Sequence, residues 1–175
     1  LRIGQIEAGA RRAAFADVEL DRIVATVVEA YAPVAEDLGQ RLQTDLQLSP
    51  VIRGDRELLM QMVANLVENA INHCPAGVAI TVTLESVSGQ CVLSVADTGP
   101  GIPAAERDSV LRRFYRLERS RTTPGSGLGL ALVKAIADLH GAIVMLASND
   151  PGLRVSIRFP ERAVRASGTQ GPRAA

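Results

Sequence analysis

Apolar side chains recur at helical spacing in three stretches of the chain. Between Leu20 and Leu38, residues Ile23, Val27, Val28, Tyr31 and Val34 share one side, which predicts a helix capped by Asp21 and running to about Leu38. After a capping Asp55, Leu59, Val63, Leu66, Val67 and Ala70 form an apolar arc that predicts a second helix through His73. The third covers Leu128 to His140 and is ended by Gly141. Elsewhere the pattern is extended. Ala13–Leu20, Arg41–Leu48, Val51–Gly54, Val78–Val87, Gln90–Ala96, Ile143–Ala147 and Arg154–Phe159 read as strands or extended segments, with Ser88-Gly89 as a hairpin turn. A short helix is predicted near Ala104 to Phe114, inside a polar stretch from 97 to 126.

These elements compose an α+β fold: a two-layer α/β sandwich with three long helices on one face of a mixed, mostly antiparallel sheet. Residues 1–14 read as the end of a preceding helix, 15–160 as one domain, and 161–175, which lack an apolar period, as a disordered tail. The opening at Leu1 suggests a fragment of something longer.

Composition narrows the picture. At 175 residues and 47% apolar content the chain can bury one core. Its formal net charge of zero lacks the broad electrostatic footprint of a nucleic-acid binder, so no nucleic-acid partner is expected. Cys74 and Cys91 are too few for a disulfide scaffold or a cysteine metal site, and read as two reduced thiols in a cytosolic compartment. No apolar run approaches a membrane span.

Three polar stretches carry the candidate chemistry. In TTPGSGLGLALVKAI, Gly125, Gly127 and Gly129 precede an apolar helix. A dinucleotide fingerprint fails because Leu130 and Leu132 stand where glycine is required, and a P-loop fails for want of Gly-Lys-Ser/Thr. What remains is a polar segment at a helix N-terminus, where free N–H groups and the positive end of the dipole suit an anion; the bland alternative is a flexible loop with a helix start.

In the second helix Asn65, Asn69 and Asn72 form one stripe opposite the apolar arc, with His73 beside it. Asparagine costs roughly half a kcal/mol relative to Ala in a helix. A solvated face more often uses Lys, Glu, Gln or Arg. Amide oxygens are hard neutral donors that suit Mg²⁺ sharing the phosphates of a nucleotide.

In QCVLSVADTGPGIP, alternation places Cys91, Leu93 and Val95 in the core and Asp97 at the edge of a buried layer. A carboxylate there needs donors, and an adenine amino group is a suitable one. Gly99 and Gly101 then let the backbone pass close to a flat ring, although Asp-Thr-Gly and Pro-Gly also favour turns on their own.

In this order the three stretches resemble the catalytic domain of histidine kinases in the GHKL ATPase superfamily. NLVENAINH is similar to its N box, DTGPGIP to its first glycine box, Phe114 to Arg116 to its F box, and GSGLGLALVKAIADLHG to its second glycine box. The likeness covers roughly residues 1 to 160 and implies the Bergerat ATP-binding fold with a flexible lid. It further implies that Asp97 binds the adenine amino group and that Asn69 coordinates Mg²⁺ with support from Asn65. Gly99 and Gly101 would shape the adenine pocket, while Gly125, Gly127 and Gly129 close over the phosphates; Ile102, Phe114, Tyr115 and Leu128 would also belong to the nucleotide-binding residues. His73 either stacks on the base or caps its helix. Asn72 departs from the family, which commonly places Lys or Arg there; Arg116, Arg119 and Arg121 are the candidates for that charge.

Relatives that act as ATP-driven clamps carry a glutamate four residues before the Mg²⁺ asparagine. This chain has Asn65 there, which cannot accept a proton at neutral pH. Transfer to another nucleophile is therefore favoured over hydrolysis, with a regulatory nucleotide-binding module as a further alternative. His73 and His140 lack an acceptor context, so the phosphorylated histidine is expected on a dimerisation hairpin outside this chain. The resemblance implies a homodimeric parent anchored in the bacterial inner membrane, a cytoplasmic location for this domain, and a response regulator as the onward partner.

Overall fold

The computed structural model describes residues 12–111 and 128–160, together with the backbone of 164–166. In chain order the elements are β1 (Ala16–Glu19), α1 (Leu20–Asp37), β2 (Arg41–Leu46), β3 (Pro50–Gly54), α2 (Arg56–His73), β4 (Ala79–Val87) and β5 (Gln90–Asp97). A 3₁₀ turn (Ala104–Glu106) follows, then α3 (Gly129–Leu139), β6 (Ile143–Ser148), β7 (Leu153–Arg158) and β8 (Val164–Ala166).

The main sheet runs β2-β4-β5-β7-β6. Only β2 against β4 is parallel; the other pairs are antiparallel. Central β5 is buried from Cys91 to Asp97. Its inner face and those of its neighbours present Ile80, Val82, Leu84, Leu93, Val95, Val155 and Ile157 to Leu20, Ile23, Leu59, Met62, Val63, Leu66 and Val133 of the helices. Each such side chain, fully buried, contributes about 1.5–3 kcal/mol. Helix α2 packs against both α1 and α3, so its sides face different neighbours.

Several local predictions hold. Asp55 caps α2, accepting from Glu57 N–H at 3.0 Å and Leu58 N–H at 3.2 Å, an arrangement that typically contributes about 1 kcal/mol. The β4–β5 turn places Ser88 at φ 52° and Gly89 at φ 79°, the primed geometry that matches strand twist.

Three predictions are corrected. Asp21 is not the cap of α1: the helix starts at Leu20, with Glu19 at the cap position and no side-chain cap bond. Pairing of Glu19 with Val51 carries β1 up to the helix, which pushes Asp21 into its first turn. The helix expected from Ala104 is a 3₁₀ turn through Glu106, where the Arg107 guanidinium folds back onto the Ile102 carbonyl at 3.0 Å. The expected mixed, mostly antiparallel sheet with its three long helices is present, and a second, three-stranded sheet ordered β1-β3-β8 joins it. Its β8 belongs to the stretch expected to dangle: Val164 pairs with Ile52 and Ala166 with Pro50, covering the edge of β3.

Candidate functional site

Strand β5 delivers Asp97 to its C-terminal end at 7% exposure. The strand is closed there by Thr98 N–H donating to the Ala79 carbonyl at 3.0 Å and Ala79 N–H donating to Thr98 Oγ1 at 3.1 Å. Asp97 Oδ1 accepts from Gly99 N–H at 2.8 Å and from Leu153 N–H at 3.3 Å. The Asp97 carbonyl accepts from Asn149 Nδ2 at 2.8 Å, and Asn149 Oδ1 in turn accepts from Arg154 Nη2 at 3.2 Å. The Cys74 sulfur packs at the same point, for a Cβ on Gly99 would meet both Cys74 Sγ and Asp97 Oδ1; burial first, then the neighbouring Asp97 carboxylate, push the thiol up to about 12. An ionised carboxylate offers roughly four lone-pair sites, so these two main-chain donors leave room for another.

The glycines here have a physical cause that the sequence did not reveal. A Cβ on Gly99 would lie 2.6 Å from Cys74 Sγ and 3.0 Å from Asp97 Oδ1. Gly101 adopts φ +66°, and a Cβ there would meet the Gly152 carbonyl oxygen at 2.7 Å. Their close approach is made to the protein's own atoms. Ile102 is half-buried beside them.

The second half of the site is the α2–α3 interface. Asn65 and Asn69 are half-buried. A Cβ on Gly129, the first residue of α3, would stand 3.6 Å from Asn69 Oδ1 and 3.7 Å from Asn65 Oδ1. Asn65 Nδ2 donates to the Gln61 carbonyl at 2.8 Å, which turns its oxygen the other way. The start of α3 has no side-chain cap, so amide oxygens and backbone N–H groups of a helix N-terminus converge. Asn72 and His73 are exposed in the last turn of α2, and Leu128 is exposed before α3. Asn72 therefore leaves the stripe that Asn65 and Asn69 form at Gly129.

Glu68 lies on another side. It is exposed, and its charge, after burial, raises the Tyr31 phenol on α1. From Asn69 to Cys74 the chain advances roughly 7–8 Å along α2.

Phe114, Tyr115, Arg116, Arg119, Arg121, Gly125 and Gly127 lie outside the described residues, as does most of the expected lid. Among the described residues no cluster of three His, Cys, Asp or Glu could hold a metal ion. Cys74, Gln40, Asn149, Gly152 and Leu153 were missed. Gln40 Nε2 donates to the carbonyls of Ile71 at 2.9 Å and Cys74 at 2.7 Å, closing the end of α2. Asn149-Asp150-Pro151-Gly152 is a strong turn sequence, but a turn signal does not show that the loop meets Asp97; nothing local marked Gln40.

His140 is buried and structural. It donates from Nδ1 to the Ile136 carbonyl at 2.8 Å, accepts at Nε2 from Asp55 N–H at 3.1 Å, and stacks on Phe15 at 4.6 Å. Burial lowers its pKa below the usual histidine value. Arg12 closes the same helix end by donating from Nε to the Leu139 carbonyl at 2.8 Å.

Known proteins resemble this chain in sequence and fold. The family described as histidine kinase-, DNA gyrase B-, and HSP90-like ATPase matches residues 54–163. The sensor protein IrlS of Burkholderia pseudomallei is 36% identical over 137 residues, which are 76% of this chain and 29% of that protein. The sensor-like histidine kinase SenX3 of Mycolicibacterium smegmatis is 34% identical over 147 residues, 82% of this chain and 38% of its own. The chain thus spans about a third of the length of these relatives. Among solved structures, the mycobacterial sensor histidine kinase MprB aligns with a TM-score of 0.74 and 29% identity, covering 87% of this chain and 99% of that one. Full-length ShkA in complex with AMPPNP aligns at 0.76 and 27%, over 87% of this chain and 32% of that one.

Proposed function

The chain belongs to the histidine kinase-, DNA gyrase B-, and HSP90-like ATPase family, and from that premise we propose that it is the ATP-binding catalytic domain of a sensor histidine kinase. In this reading it holds MgATP for transfer of the γ-phosphoryl group to a histidine on the parent's dimerisation hairpin. A response regulator aspartate then receives the phosphate. The parent is a homodimer anchored in the bacterial inner membrane, with this domain in the cytoplasm. Among the described residues no helix is long and apolar enough to cross a membrane.

One observation carries the choice of transfer over hydrolysis. Asn65 and Asn69 face Gly129 together, whereas Glu68 belongs to the α1 side of the same helix. An amide cannot take a proton from water at neutral pH, so among the described residues the phosphate end offers no base where a hydrolytic one is needed.

The chain's own groups have these roles. Asp97 accepts from the adenine amino group with a carboxylate already held by Gly99 and Leu153 N–H. Asn69 and Asn65 offer amide oxygens that fit Mg²⁺, an ion that neutralises phosphate charge and keeps most of its other ligands as water and phosphate oxygens. The first N–H groups of α3 favour the phosphates electrostatically. Arg116, Arg119 or Arg121 supplies the remaining positive charge. Phosphoryl transfer asks little else of the protein than positioning and charge stabilisation.

The test is phosphotransfer in trans. The chain should bind MgATP, hydrolyse it slowly alone, and leave its own His73 and His140 unlabelled by γ-phosphate. Supplied with the parent's dimerisation hairpin it should label that histidine, slowly because the parts are untethered. Fast hydrolysis without transfer, or tight binding without transfer to that hairpin, refutes the kinase assignment.

A further inference from the structure

We propose that Cys74 is a positioning residue for the purine base: its thiol, donating to Asp97, sets the rotation of the carboxylate and so decides which lone pairs meet the incoming amino group. The inference rests on the reading of Asp97 as the base acceptor.

Three observations place the thiol there. Cys74 is the C-cap of α2 with extended backbone, φ −106° and ψ 141°, so its side chain leaves the helix direction and turns to the end of β5. Its carbonyl is clamped by Gln40 Nε2 at 2.7 Å, which fixes the residue from the opposite side. Its sulfur packs where only a glycine fits, since a Cβ on Gly99 would stand 2.6 Å away. Gly99 N–H itself donates to Asp97 Oδ1 at 2.8 Å, so thiol, glycine and carboxylate form one cluster.

The chemistry follows from the donor inventory. Both main-chain donors, Gly99 and Leu153, converge on the same oxygen. Rotation of a carboxylate about its last bond is broad, so two donors on one oxygen locate that atom better than the carboxylate plane. The thiol is a donor-bearing side chain packed at this carboxylate, beside Gly99 and Asp97 Oδ1. Held far above neutral pH in its titration, it stays S–H and keeps one role, that of donor. A fixed acceptor discriminates between a purine bearing an amino group and one bearing a carbonyl at the same position. A rotating one discriminates less.

A thiol is a weak donor, so the effect is modest: roughly three- to tenfold in affinity. Calorimetry on the full chain compares ADP with inosine diphosphate for the wild type, Cys74→Ser, Cys74→Ala and Asp97→Asn. Cys74→Ala should lose that factor for ADP and little for inosine diphosphate, narrowing the ratio between them. Cys74→Ser keeps a donor and should restore both affinity and ratio. Infrared difference spectra should show an S–H stretching band that moves when ADP binds to wild type and is absent from Cys74→Ser, with Cys91 a constant background in both. Unchanged ADP affinity in folded Cys74→Ala, a Cys74→Ser no better than Ala, or an S–H band that ignores ADP overturns the role of the thiol. If Cys74→Ala fails to fold, the serine variant and the spectrum still decide. A wild type that ignores ADP, or an Asp97→Asn that binds it normally, overturns the base site and the thiol's role with it.

Discussion

Asp97 and Asn69 stand at opposite ends of the proposed nucleotide site, and the protein supports them in different ways. Asp97 is a buried charge among fixed groups: two backbone N–H donors, the packed thiol of Cys74, and an asparagine on its carbonyl. Asn69 is neutral and half-buried, with its oxygen toward the start of a helix. The difference follows from cost. A carboxylate taken out of water without donors costs several kcal/mol, so its surroundings must be complete before any ligand arrives. A half-exposed amide loses little by waiting in water. The base end is therefore set by folding, and the phosphate end is completed by what binds there.

The largest effect is expected where the donors are fixed. Asp97→Asn should weaken ADP binding by about 1.5–3 kcal/mol, since a charged hydrogen bond is replaced by an amide that offers the wrong polarity on one side. The remaining amide oxygen can still accept from Gly99 and Leu153, so the variant should fold. Calorimetry that finds wild-type affinity in the folded variant would remove Asp97 from the base site and erase the contrast.

Asn69→Ala is the next test, and its signature is a separation. The gain in ATP affinity on adding magnesium should vanish, while metal-free ADP binding changes by no more than about twofold. Stability should hold or rise by roughly half a kcal/mol, because Ala is the better helix former and no buried partner is orphaned. A variant in which magnesium still tightens binding normally places the metal ligand elsewhere. A variant that also loses metal-free ADP binding shows that the two ends are not separable.

The same contrast explains what could be read from the chain beforehand. Helix α2 was legible nearly to the residue because its apolar arc and its Asp55 cap are local. Asp97 was legible because strand alternation carries three core residues to it. The structures that hold it were not. Leu153 reaches Asp97 across 56 residues, and Asn149 across 52. Cys74 read only as a reduced thiol because its neighbour Asp97 arrives from β5, distant in sequence. The Asn65–Asn69 pair was visible as a stripe, yet only packing against Gly129 separates it from Asn72. Asp21 misled because it satisfied a local capping rule while the pairing of Glu19 with Val51 decided where α1 begins.

The smallest effect concerns pH and asks whether the far end of α3 matters to either half of the site. Helix α3 opens at Gly129 beside the asparagines and closes at His140, whose Nε2 accepts from Asp55 N–H. Burial lowers the pKa of His140, the charge of Asp55 opposes that shift, and Arg12 reinforces it. The unfolded chain then binds more protons than the folded one as pH falls through the ordinary histidine value of 6.5. Stability contributed by neutral His140 is complete above that value and is lost as pH falls toward the lower folded pKa. Protonation also puts a donor on Nε2 opposite the Asp55 N–H, so the contact that joins α3 to the start of α2 is broken. Melting temperatures measured from about pH 8 to about pH 5 should therefore fall more steeply for wild type than for His140→Gln, which has no group to titrate there. Parallel pH profiles would show that the acid sensitivity arises elsewhere. Metal-free ADP affinity should match in the two proteins at each pH where both are folded, because the donors on Asp97 come from β7 and from the turn at Gly99 rather than from α3. If His140→Gln weakens that affinity, the base end is not fixed independently of α3, and the contrast between the two halves fails.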